Sequence, residues 1–274
     1  MYKESDPLTS DAMEILLKTS RTFSIPISYL SSGLKEAVAS AYLCMRAIDE
    51  IEDHPHLDEQ VKILLLKSIS HKLQNAPSAA DLANLFNPYK TELPEVTLRL
   101  SDWIKFCPPT IVDEVLKSTS IMADGMAKWV EKEWAIKNES DLDDYTYYVA
   151  GLVGVMLSEI WKWSDSIETD KELSIAFGRG LQAVNILRNR DEDRKRGGVD
   201  FFPDGWTFED MLNYAKRNLA LADKYIESLK PGQIRIFCEI PLSLAYSTLD
   251  ALTEGKEKIS RSDVNEIVSK IVSK

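Results

Sequence analysis

No stretch of this chain alternates apolar and polar residues for long enough to read as a strand. The apolar residues recur instead at the spacing of one helix face, most clearly at Leu34, Ala37, Val38, Ala41, Met45 and Ile48. The breaks fall where proline and glycine put them: His54-Pro55, Asn87-Pro88, Cys107-Pro-Pro109, Gly197-Gly198, Lys230-Pro-Gly232 and Gly255. Between these breaks the pattern predicts about ten helices and an all-α fold, a single bundle-like domain over residues 1–274 around an elongated central cavity. Ile111 to Val130, Glu172 to Asp193, Asp204 to Leu229 and Gln233 to Glu254 are the long runs, the last bent at Pro241. Asp141 to Asp144 reads as the cap of the helix that follows it, and Ser260 to Asp263 as the cap of a short final helix.

Two acidic stretches stand out from this pattern. In Arg46-Ala-Ile-Asp-Glu-Ile-Glu-Asp53, the carboxylates of Asp49, Glu52 and Asp53 share one side of a helix, with Arg46 a turn behind. In Gln182 to Asp193, residues Asn185, Arg188, Asn189, Glu192 and Asp193 do the same. Two such faces across a cavity suit a hard divalent cation, which takes oxygen ligands and keeps positions open for substrate phosphates. The net charge of −11 points the same way. It argues against nucleic-acid binding through a general positive field, and it requires metal ions or local arginines before a phosphorylated ligand can approach. An acidic run at a helix C-terminus also opposes the helix dipole, so something should compensate it: a metal ion, or plain solvation.

Other features leave two readings open. Thr19-Ser-Arg-Thr-Phe23 is either a capped break between helices or a hydroxyl and guanidinium cluster near a phosphate. Ala150, Gly151 and Gly154 thin one side of the apolar run from Tyr145 to Leu157, which suits either a greasy cavity or a close helix contact. Gly125 raises the same pair of possibilities, and Asp124 reads equally well as inward or surface-facing. Arg194-Lys-Arg196 is a solvated helix end or a diphosphate clamp. His54 and His56 have poor ligand spacing and read as an exposed turn. Cys44 and Cys238 sit in apolar helical patterns and read as buried thiols, which suits a reducing cytoplasm. The polar start of the chain is not a signal peptide, and no run reaches the ~18 apolar residues of a membrane span.

The chain resembles the squalene/phytoene synthase family of head-to-head isoprenoid synthases, and its squalene synthase-like members in particular. The resemblance rests on Ser20-Arg-Thr-Phe23, Tyr42 to Asp53, Tyr148-Val-Ala-Gly-Leu-Val-Gly154, Leu181 to Arg188, Phe202-Pro203 and Phe237-Cys-Glu-Ile-Pro241, in the family's order and spacing. It implies the all-helical isoprenoid synthase fold. It also implies magnesium-dependent joining of two prenyl diphosphates, commonly farnesyl diphosphate, through a cyclopropyl diphosphate. Squalene synthases then quench with hydride from NADPH, phytoene and dehydrosqualene synthases lose a proton, and hydroxysqualene synthases add water. NADPH is thus a cofactor in the squalene-forming case alone. By position, the resemblance makes Asp49, Glu52, Asp53, Asn189 and Asp193 the metal ligands. It makes Ser20, Arg21, Arg46, Arg188 and Asn185 the diphosphate or cofactor contacts, and Tyr148 the residue that steers cation or proton chemistry. Larger eukaryotic relatives carry a membrane tail that is missing here. The implied protein is soluble, bacterial and cytoplasmic, at most peripheral to the inner membrane face when it releases an apolar product.

One position departs from the family. The second motif usually begins with aspartate directly after the arginine, and here that residue is Asn189. An amide oxygen ligates magnesium without adding negative charge, so the second site should be weaker or hold fewer ions. The spacing Asn185, Asn189, Asp193 also resembles the mixed motif of terpene cyclases. Four outcomes follow: a working head-to-head synthase that tolerates the amide, an enzyme stopping at the cyclopropyl intermediate, an enzyme ionising a single prenyl diphosphate, or a prenyl-diphosphate-binding protein without turnover.

Overall fold

A computed structural model describes residues 7–256 and 258–273, with the backbone alone for Pro7, Arg21, Arg196 and Gly197. Among the described residues every regular element is helical, and no helix is long and apolar enough to cross a membrane. The chain divides between Glu133 and Trp134 into two compact units. Both junction residues sit in the left-handed region, at φ 52° and 50°. For residues with a Cβ that conformation costs roughly 1–2 kcal/mol each.

The first unit is built around α3. Its helices are α1 (Pro7–Thr19), α2 (Arg21–Ser28), α3 (Leu34–Glu52), α4 (Glu59–Leu73), α5 (Ala79–Phe86), α6 (Glu95–Leu98), α7 (Leu100–Phe106) and α8 (Val112–Glu131). Ala37, Ala39, Ala41 and Ala47 of α3 are fully buried, and α1, α4, α6, α7 and α8 pack against the helix. The small side chains let these neighbours come close. Two buried hydrogen bonds fix the approach: Ser40 Oγ donates to the Trp103 carbonyl at 2.7 Å, and Thr97 Oγ1 to the Ala47 carbonyl at 2.9 Å. Asp124 answers its open reading from the surface, paired with Lys128 at 2.6 Å, while Gly125 is buried.

The second unit holds α9 (Glu139–Thr146), a π-turn (Tyr147–Gly151), α10 (Leu152–Asp165), α11 (Lys171–Gly197), α12 (Phe208–Ser228), α13 (Gln233–Thr253) and α14 (Arg261–Val272). Asn138, not the acidic run from Asp141, caps α9: its side chain accepts from the Asp141 N–H at 3.0 Å. Asp141 to Asp144 therefore lie inside the helix. The predicted start at Asp204 moves to Phe208, because Pro203 and Gly205 make a turn and Thr207 closes a capping box with Asp210.

The small residues of the 150–154 region are consumed by packing. A Cβ on Gly154 would lie 1.9 Å from the Ser174 carbonyl oxygen, and one on Gly178 would lie 2.1 Å from that of Ala150. Only glycine allows α10 and the π-turn to meet α11 this closely. Of the two readings left open for this stretch, the close helix contact is the one observed at Gly154.

Candidate active site

On α3 the side chains of Tyr42, Arg46, Asp49 and Glu50 are half-buried, and Asp53 is exposed at the helix end. The helix repeat puts Tyr42, Arg46, Asp49 and Asp53 along one strip. The Arg46 guanidinium grips Asp49 through Nη1 and Glu50 through Nη2. Its Nε is buried and has no hydrogen-bond partner. A buried N–H left unpaired costs about 1–3 kcal/mol, so an acceptor arriving there is favoured. Burial and the nearby charge of Asp53 push the Asp49 carboxyl up to about 7, against the pull of Arg46. Even with an arginine present, this strip lacks positive charge.

The Ser20 hydroxyl caps α2, accepting from the Phe23 N–H at 3.1 Å. Thus the capped-break reading of this cluster holds. Ser20 also hydrogen-bonds the Tyr42 hydroxyl, which burial raises above its ordinary range. Its oxygen therefore sits beside the α3 strip. Arg21 begins α2, and its side chain lies outside the described residues.

Glu52 departs from the strip. It is buried, and Lys62 of α4 donates its ammonium to the Glu52 backbone carbonyl at 2.7 Å. Lys62 is itself buried, and its pKa is lowered by that burial against the attraction of Glu52 and Asp53. The helix-end charge problem anticipated from the sequence is thus met in part by a resident lysine. Spacing alone could not show this, because Lys62 lies beyond a turn. His54 organises that turn: its Nδ1 accepts from the Leu57 N–H at 3.0 Å, and its Nε2 lies 3.1 Å from the Glu92 carbonyl.

On α11 the face is wetter. Asn185 and Arg188 are exposed, and Asn189 and Asp193 are half-exposed. Arg188 Nε donates to Asn189 Oδ1 at 3.0 Å, so the amide oxygen expected to ligate metal is already engaged. Behind this face is a clamp the sequence reading missed. Arg190 binds Asp200 through Nε at 3.1 Å and Nη2 at 2.8 Å, Arg194 reaches the same carboxylate at 3.1 Å, and Arg190 stacks 3.6 Å from the Phe202 ring centroid. It ties the chain beyond Gly198 back to α11. Asp200 follows the helix stop, where periodicity carries no pairing information. Arg196, the third member of the basic triplet, has its side chain outside the described residues. Tyr148 is half-buried in the π-turn, edge-on to Tyr147 at 5.3 Å.

The donors on both faces are oxygens, which fits magnesium and not a thiolate- or imidazole-seeking metal. Among the described residues, no three His, Cys, Asp or Glu side chains converge to hold a metal alone. Magnesium bound through one or two carboxylates, water and substrate phosphate needs no such cage.

A squalene synthase of Dictyostelium discoideum is 30% identical over 95% of this chain and 70% of its own length. A squalene synthase of Botryococcus braunii is 30% identical over 86% of this chain, which spans 57% of that protein. The fold matches TcSQS, solved in complex with a ligand, at a TM-score of 0.81 and 20% identity, over 97% of this chain and 86% of that one. The all-α architecture is therefore that of the isoprenoid synthases. Residues 16–207 match the family model for squalene/phytoene synthase, and the chain belongs to that family of prenyltransferase-type enzymes.

Proposed function

We propose that this protein joins two prenyl diphosphates, taken to be farnesyl diphosphate, head to head through a cyclopropyl diphosphate to a thirty-carbon product. The observation that carries the proposal is the α3 strip, where a half-buried arginine with an unpartnered N–H stands beside a crowded carboxylate pair. A plain helical bundle has no use for either. The two units are proposed to serve one reaction as a single domain of residues 1–274.

Asp49 and Asp53 on the first motif, and Asn189 and Asp193 on the second, would hold magnesium; Glu52, beside Lys62, backs the first. When bound, the metal supplies positive charge against the leaving diphosphate. Arg46, held by Asp49 and Glu50, would donate its buried Nε–H to a diphosphate oxygen once its surroundings open to admit one. Arg188 would give a second, looser contact by leaving Asn189 for phosphate, with Asn185 beside it; Ser20 would add a contact near α3, and Arg21 is proposed as a further diphosphate contact from the resemblance alone. Tyr148, on a turn of fixed shape, would steer the carbocation or accept its proton. The product is apolar, so a cytoplasmic enzyme making transient contact with the inner membrane face is the proposed setting.

The test is incubation with farnesyl diphosphate and magnesium, with and without NADPH, and mass spectrometry of the lipids. A thirty-carbon hydrocarbon is expected, and its hydrogen count separates hydride quench from proton loss. A fifteen-carbon alcohol or cyclic product would overturn the proposal.

A further inference from the structure

The π-turn at Tyr147–Gly151 interrupts the helical repeat between α9 and α10. Such turns are rare and are frequently found at functional sites. This one carries Tyr148; of two consecutive residues of α11, one meets the turn itself and the other holds the last turn of α9 just before it. Gly178 admits the Ala150 carbonyl, since any Cβ there would lie 2.1 Å from that oxygen. Arg179, next along, donates Nη2 to the Asp143 carbonyl at 3.1 Å and Nε to Thr146 Oγ1 at 3.3 Å, and it lies 3.3 Å from the Asp143 carboxylate. From α12, the buried Tyr214 donates to Asp143 Oδ1 at 2.8 Å, and its oxygen is 3.2 Å from Thr146 Oγ1. Thr146 is fully buried and donates to the Leu142 carbonyl at 2.6 Å. The last turn of α9 is thus gripped by two helices through polar groups. Thr146 and Tyr214 are buried and each is bonded, while Arg179 and Asp143 reach them from partly exposed positions.

We infer that Arg179 is a positioning residue which, with Tyr214 and Asp143, fixes the π-turn and so aims Tyr148. The inference rests on the proposed role of Tyr148 and adds the device that orients it. It is tested in the full chain with Arg179→Lys, Arg179→Met, Tyr214→Phe, Tyr148→Phe and the double variant R179M/Y148F, each checked by thermal melting.

Arg179→Met should lower kcat by roughly ten- to a hundredfold with KM little changed. It should shift the ratio of cyclopropyl diphosphate to thirty-carbon product in the direction that Tyr148→Phe does, and Arg179→Lys should restore part of that ratio. The double variant should be no worse than Tyr148→Phe alone. Additive losses, or an unchanged product ratio in variants that merely melt earlier, would overturn the inference. A second readout does not need turnover. Amide hydrogen exchange should rise across residues 146–152 in Arg179→Met and stay unchanged in the distant helices. Unaltered exchange in that segment would also overturn it. If the wild-type chain makes neither product, the proposed function fails, and the exchange result alone decides whether Arg179 holds the turn.

Discussion

On α3 the guanidinium of Arg46 is half-buried and held by Asp49 and Glu50, with one N–H left over; on α11 that of Arg188 is exposed and rests on the amide of Asn189. The two motifs use the same residue types in opposite states of preparation. The first is set by its surroundings and crowded with negative charge. The second faces solvent, is one charge poorer, and is steadied from behind by the Arg190–Asp200 clamp. A group fixed before the ligand arrives contributes more to the transition state than one that must first be reoriented. The α3 strip should therefore carry more of the catalysis, and the α11 face should tune it.

The largest expected effect follows directly. Arg46→Met should cut kcat by roughly 10²–10³, and Arg188→Met by about tenfold, in steady-state assays of diphosphate release. Equal losses would break the contrast. The supporting contacts should differ too. Gly154→Ala forces a Cβ onto the Ser174 carbonyl and should cost about 1–3 kcal/mol or more in denaturant unfolding. Ala37→Gly in α3 should cost about 1 kcal/mol. Asn189→Asp returns a charge to the second motif and should tighten magnesium binding by about tenfold in calorimetric titration. An unchanged affinity would mean that Asn189 does not touch the metal.

The smallest effect concerns Asp200. Burial works to raise its carboxyl, but hydrogen bonds from Arg190 and the Phe202 N–H outweigh burial and leave it below the ordinary value. Its contribution to stability is thus full above about pH 4, the unfolded-chain value, and is lost as pH falls through the lower folded value. Asp200→Asn should remove about 0.5–1 kcal/mol near neutral pH, with the difference from wild type closing in acid melts.

Much of this was legible in the sequence because periodicity and punctuation are local. The α3 stripe, the stop at Gly198 and the Ser260 cap of α14 all appear where spacing puts them. The alignment of Arg46, Asp49 and Asp53 on one side of α3 was readable for the same reason, whereas Glu52, read onto that side, turned out to be buried off it. What escaped was set by tertiary contact. The π-turn keeps an apolar composition that fits an ordinary helix equally well. Lys62 meets Glu52 across a turn, Asp200 meets Arg190 beyond a helix stop, and Arg179 meets Thr146 from another helix. The small residues at 150–154 could mean a cavity or a crossing, and only the position of Ser174 decided between them at Gly154.

The central claim is head-to-head joining, and it is tested most directly by counting inorganic diphosphate against hydrocarbon in one reaction with farnesyl diphosphate, magnesium and NADPH. Two diphosphates released for each thirty-carbon molecule is the predicted result. One diphosphate for each fifteen-carbon product would contradict it and would turn attention to the missing charge at Asn189.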